Sequence, residues 1–171
     1  MASQARSFRL CLTGPECTGK SELALRLAAE LGAELVLEYA REYAEEVRRE
    51  LTASDVEPIA RGEIANLDRA AGPRVVLDTD LLSTVVYARH YYGACPAWIE
   101  EEARRRMADF YLLMDTDVPW TADAIRGEEG DREDLFDAFR RALDELGARW
   151  VIVSGTGEER WEEVVRCARA W

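Results

Sequence analysis

The chain holds a single lysine, Lys20, and it lies in GPECTGKS, Gly14 to Ser21, a complete GxxxxGK(S/T) pattern. Arginine supplies every other one of the 22 basic side chains. The exception falls where a compact, flexible ammonium is needed to reach the β- and γ-phosphates of a nucleoside triphosphate, a task a planar guanidinium serves less well. The expected nucleotide-binding set is Gly14, Pro15, Glu16, Cys17, Thr18, Gly19, Lys20 and Ser21. The Ser21 hydroxyl is the expected partner of a magnesium ion that accompanies ATP. Cys17 has two readings, a small loop residue or a thiol made reactive by a helix N-terminus.

Carboxylates that close apolar runs carry the next part of the chemistry. Asp78 ends VVL, as a Walker-B-type group that holds magnesium with Ser21 would; its plainer role is a helix cap. Asp80 stands just before a helical period, where capping and substrate contact are both open. Glu38 opens EYAREY, and Asp115 and Asp117 follow another apolar run. Arg126 and Arg132 flank GEEGD in an irregular stretch. They are placed either to neutralise a transferring phosphoryl group or to pair with Glu128, Glu129 or Asp131 on a solvated surface.

These groups need a scaffold, and the apolar periods supply one. Five short runs predict strands: Phe8 to Thr13, Glu34 to Leu37, Arg74 to Leu77, Phe110 to Met114 and Trp150 to Val153. Helical spacing predicts Glu22 to Leu31, Arg41 to Glu50, Val56 to Ala71, Leu81 to Tyr92, Ala97 to Met107, Arg132 to Leu146 and Glu159 to Ala170. Strands alternating with helices predict an α/β fold with a five-stranded, mainly parallel sheet flanked by helices, a three-layer sandwich. Its ligands are expected outside the carboxyl ends of the strands. One domain over 1–171 is expected, with a lid at about 116–132.

Composition narrows the partners. A net charge of −12 argues against covering nucleic-acid phosphate or an anionic membrane, and leaves a small molecule. MASQARSF has no apolar core and no run approaches eighteen apolar residues, so the expectation is a cytoplasmic protein with no leader and no membrane span. The 4 cysteines lack metal-ligand spacing and are expected as reduced thiols. His90 sits late in a helix, where a capping or surface role is expected. Arg104 to Arg106 follow Glu100 to Glu102 at the spacing of an ion-paired exposed face. Oligomeric state stays open.

GPECTGKS, EYAREY, IARGEIANLD, DTDLLSTVVY and VPWTADAIR followed by DR occur in the order found in the ribosylnicotinamide kinase domain of NadR-type proteins, within the P-loop NTPase superfamily. The chain resembles that domain over nearly its whole length. The phosphate loop is common to all P-loop proteins; the other four segments are more specific. At Cys17 and Thr18 the family usually has two serines. The resemblance implies a P-loop kinase-like fold and transfer of the ATP γ-phosphoryl group to the ribose 5′-hydroxyl of nicotinamide riboside. It implies Lys20, Glu38, Asp78, Arg126 and Arg132 as catalytic and Ser21 and Asp78 as magnesium ligands. Glu38, Arg41, Asp80, Trp120 and Asp123 would be substrate-binding, with Glu38 or Asp80 as base or ribose ligand. Trp120 would offer its face to a cationic pyridinium, or act as a hydrophobic hinge of the lid. Two rivals stand beside this reading: a kinase of another nucleoside or nucleoside monophosphate, and a regulatory ATP-binding protein.

Overall fold

The computed structural model describes residues 7–119 and 131–170. Five strands, β1 (Phe8–Thr13), β2 (Glu34–Val36), β3 (Arg74–Asp78), β4 (Phe110–Met114) and β5 (Trp150–Val153), form one sheet in the order β2-β3-β1-β4-β5. Every pairing is parallel. Parallel strands need crossovers, and seven helices serve as these or pack beside them: α1 (Lys20–Leu31), α2 (Tyr39–Val47), α3 (Val56–Arg69), α4 (Leu81–Tyr92), α5 (Ala97–Arg105), α6 (Asp131–Leu146) and α7 (Gly157–Arg169). A 3-10 turn, Ala53–Asp55, leads into α3.

Each strand divides its side chains between two cores, as the two-residue period requires. Leu10, Leu12, Val76, Leu112, Met114 and Val153 pack with Leu23 and Leu27 of α1 and Val164 of α7. Cys11, Val75, Leu77, Tyr111 and Leu113 face the other way, onto Leu67 of α3, Val85 of α4, Ile99 of α5 and Phe139 of α6. With both faces covered, the strands read as near-continuous apolar runs rather than clean alternations. The result is the expected three-layer sandwich.

The chain moves outward from β1 to β2, returns through β3, and crosses β1 to reach β4. The reversal leaves a crevice at the carboxyl ends of β1 and β3. The loop after β1 and the Asp78-Thr79-Asp80 segment after β3 meet there, tied by the Thr79 N–H donating to the Leu12 carbonyl at 3.0 Å.

Candidate functional site

Between β1 and α1 the backbone takes three left-handed steps, at Gly14 (φ 128°), Cys17 (φ 55°) and Gly19 (φ 81°). Gly14 is required on space as well, since a Cβ there would stand 3.0 Å from the Met114 carbonyl oxygen. The loop braces itself through the buried Thr18, whose hydroxyl donates to the Pro15 carbonyl at 2.9 Å. Gly19 caps α1 without a side chain. The N–H groups of the first helical turn and the positive end of its dipole are thus left to face an anion. Lys20 folds over this loop, its Nζ donating to the Pro15 carbonyl and lying 3.4 Å from Thr18 Oγ1. Burial lowers its pKa, against the upward pull of Glu38, Asp78 and Glu16.

Asp78 closes β3 beside this loop and is buried, with Oδ1 lacking a hydrogen-bond partner among the described residues. An orphaned carboxylate oxygen facing a phosphate loop fits a hard cation, and Ser21 in the first turn of α1 supplies a hydroxyl. No group of three or more His, Cys, Asp or Glu residues is arranged to hold a metal among the described residues. Asp80 is the N-cap of α4: Oδ1 accepts the Leu82 N–H at 3.0 Å and Oδ2 accepts the Tyr111 hydroxyl at 2.7 Å. Burial nevertheless pushes its pKa up to about 6, against those two bonds. The capping role is therefore observed, in a residue that also lines a cleft.

Two clefts open here. One, of about 650 Å³, runs from Glu16 to Leu23 past Arg26, Arg41, Pro119 and Arg160. The other, of about 800 Å³, lies between α2, α3 and α4 and takes in Glu63, Thr79 and Asp80. Glu38, Ala44, Ser83 and Tyr87 line both. Glu38 is the N-cap position of α2 but its side chain makes no cap bond. Lining both clefts, it stands where they join. Thr79, between the two aspartates, is held at φ 66°, an uncommon conformation for a β-branched residue and a mark of a backbone shaped by its surroundings.

Arg132, in the first turn of α6, is buried and donates from Nη1 to the Val118 carbonyl at 3.1 Å. Its Nε and Nη2 lack hydrogen-bond partners among the described residues. Val118 belongs to the lining of the smaller cleft, so Arg132 reaches that rim through one carbonyl. Trp120, Asp123 and Arg126, with most of the expected lid, lie outside the described residues. His90 makes an edge contact with Tyr91 at 4.8 Å, while Gly93 provides the cap of α4. Arg105 and Arg106 pair with Glu102, Arg105 from an exposed position as expected and Arg106 from a half-buried one. All four cysteines are free thiols.

Three features escaped sequence reasoning. Glu63 is buried on α3 and accepts the Tyr39 N–H at 3.0 Å. Its position on the apolar stripe Val56, Ile59, Ala60, Glu63, Leu67 was the available signal. Asp55 is buried under Arg49, Tyr43 and Thr52, and Thr52-Ala-Ser-Asp55 before a helical run is the capping-box pattern. Arg160 shares the buried face of α7 with Val164, Cys167 and Ala168. It donates to the carbonyls of Gly155 (2.7 Å), Thr18 (3.2 Å) and Asp115 (3.0 Å) and pairs with Asp117, tying the ends of β4 and β5 to the phosphate loop.

A family model described as an AAA domain matches residues 9–160. The trifunctional NAD biosynthesis/regulator protein NadR of Escherichia coli (strain K12) is 27% identical over 108 residues, 60% of this chain and 26% of that protein. The chain thus spans about a quarter of the length of the curated relatives it matches. A crystal structure of NadR protein in complex with NR superimposes with a TM-score of 0.78 and 26% identity, over 96% of this chain and 50% of that one. Thymidylate kinase from Ehrlichia chaffeensis shares the fold, with a TM-score of 0.69 at 13% identity, covering 96% of this chain and 98% of that one.

Proposed function

The chain belongs to the AAA domain family, with the fold of P-loop kinases and a resemblance to NadR, and on that premise we propose that it phosphorylates nicotinamide riboside with ATP. The observation that carries the reading is the junction of the two clefts at Glu38, one built on the phosphate loop and the other walled by Glu63 and Asp80. A donor bound in the first would present its γ-phosphate toward an acceptor in the second. With Glu38, Glu45, Glu50 and Asp80 set against Arg48 and Arg49, the larger cleft suits a cationic pyridinium nucleoside better than an anionic monophosphate.

Lys20 exchanges its bond to the Pro15 carbonyl for the β/γ-phosphate oxygens, and the amides at the start of α1 hold the rest of the anion. Ser21 and Asp78 would hold a magnesium ion, which when bound would neutralise charge on those oxygens. Glu38 takes the proton of the ribose 5′-hydroxyl as its oxygen bonds to the γ-phosphorus and the bond to the β-phosphate oxygen breaks, releasing ADP. Glu38 is preferred to Asp80 as the base because it lines both clefts, whereas Asp80 lines only the larger one and caps α4. Arg132, whose Nε and Nη2 lack hydrogen-bond partners among the described residues, and Arg126 serve the transferring group. Asp80, Trp120 and Asp123 complete the nucleoside site, and Arg41, which lines the phosphate-loop cleft, serves it from the donor side. The chain then acts on a small molecule in the cytoplasm, with neither nucleic acid nor membrane as partner.

The reading is tested by incubating the protein with magnesium-ATP and nicotinamide riboside, the common nucleosides and their monophosphates, with Lys20→Ala as the blank. Turnover restricted to nicotinamide riboside is expected. Turnover confined to another acceptor discards the substrate and keeps the kinase.

A further inference from the structure

Val56, Ile59, Ala60, Glu63 and Leu67 form the buried face of α3, and four of the five are apolar. The fifth is a carboxyl that is 2% exposed. A carboxyl in such a place is costly unless each oxygen has work to do. Oε2 accepts the Tyr39 N–H at 3.0 Å, which satisfies the first amide of α2. Oε1 is buried without a partner among the described residues, in a side chain that lines the larger cleft.

Tyr39 directly follows Glu38, so the bond that fixes Glu63 is anchored one residue from the junction of the clefts. That places Glu63 toward the reacting end of an acceptor rather than at its far end. Burial, and then the charges of Asp80, Glu38 and Asp78, push this carboxyl up to about 8, against the pull of the Tyr39 N–H. A carboxyl that keeps its proton offers one donor and one acceptor, the same pair a hydroxyl offers.

We propose that Glu63 is a substrate-binding residue whose Oε1 side hydrogen-bonds the 2′- or 3′-hydroxyl of the acceptor's ribose. The proposal rests on the kinase reading and assigns it a group that recognises the sugar. A merely structural Glu63 would use Oε2 alone, on Tyr39, and would leave a buried oxygen idle at the wall of a cleft.

The test is calorimetric binding of nicotinamide riboside and its 2′-deoxy and 3′-deoxy analogues to the wild type, Glu63→Ala and Glu63→Gln, with turnover measured separately. One deoxy analogue should bind the wild type about tenfold more weakly than the parent, the effect of an unmade hydrogen bond in a buried site. Glu63→Ala should weaken the parent by about tenfold with no further loss for that analogue, while Glu63→Gln, whose amide offers a donor and an acceptor, stays within about threefold. Equal weakening of all three ligands by Glu63→Ala would mean that Glu63 only positions α2, and would overturn the proposal. So would two deoxy analogues that bind the wild type within threefold of the parent, a result that needs no variant to fold. Hydroxyl-dependent binding without turnover would sink the kinase reading and leave this one standing, whereas no binding of any riboside to the wild type would end both.

Discussion

Replacing Glu63 with glutamine should make the protein less sensitive to alkali. In the folded chain the carboxyl is held at about 8, chiefly by burial, against an ordinary value of 4.5. Because the folded value is raised, this group's contribution to stability is complete below about pH 4.5 and is lost as pH rises toward 8. A difference in bound protons changes stability by about 1.4 kcal/mol per pH unit while it persists. Between pH 5.5 and 7.5 the wild type should therefore lose roughly 2 to 3 kcal/mol relative to Glu63→Gln. At roughly 2 to 4 °C per kcal/mol for a chain of this size, the two melting curves should separate by about 5 to 10 °C over that interval. The assay is thermal unfolding of both proteins without ligand at pH 5.5, 6.5 and 7.5. Parallel pH profiles would show that Glu63 is ionised in the folded state, and the argument from its burial would fail.

Other perturbations bear on the framework of the site. Asp55 receives hydrogen bonds from Arg49, Tyr43 and Thr52 that hold its carboxyl well below the usual range, so its stabilisation is present above about pH 4 and is lost as pH falls; Asp55→Ala should cost roughly 3 kcal/mol by chemical denaturation at pH 7, and an unchanged midpoint would refute the assignment. Gly14→Ala should abolish ATP binding in an equilibrium titration, because the new Cβ meets the Met114 carbonyl at 3.0 Å in a backbone held at φ 128°; wild-type affinity would show that the loop can re-form. Arg160→Lys keeps the charge but cannot span three carbonyls and Asp117, so ATP affinity should fall by about tenfold and the melting temperature by several degrees; no change in either would free Arg160 from any part in holding the phosphate loop.

The elements were legible because each is coded within a few neighbouring residues. FYLLM and WVIV read as strands and are strands, and the helix predicted over Leu81 to Tyr92 has those bounds. Where one bound moved, a distant group was responsible. α2 starts at Tyr39 instead of Arg41, with its first N–H bound to Glu63, a residue 24 positions away. The phosphate loop, the acid ending β3 and the cap at Asp80 were equally local signals. The partners of these groups were not.

What the sequence determined by itself is the phosphate loop between β1 and α1, the alternation of strands and helices, and hence the end of the sheet where ligands collect. Backbone hydrogen bonding and side-chain period set these, and both repeat every two to four residues. The tertiary structure alone decided that Tyr111 reaches Asp80 across 31 positions and that Arg160 reaches Thr18 across 142. It also left Glu63 with one engaged oxygen and one that lacks a partner among the described residues, beside a cleft. The fate of a buried polar group depends on which surfaces pack around it, and that packing is settled only when elements far apart in the chain exclude water together.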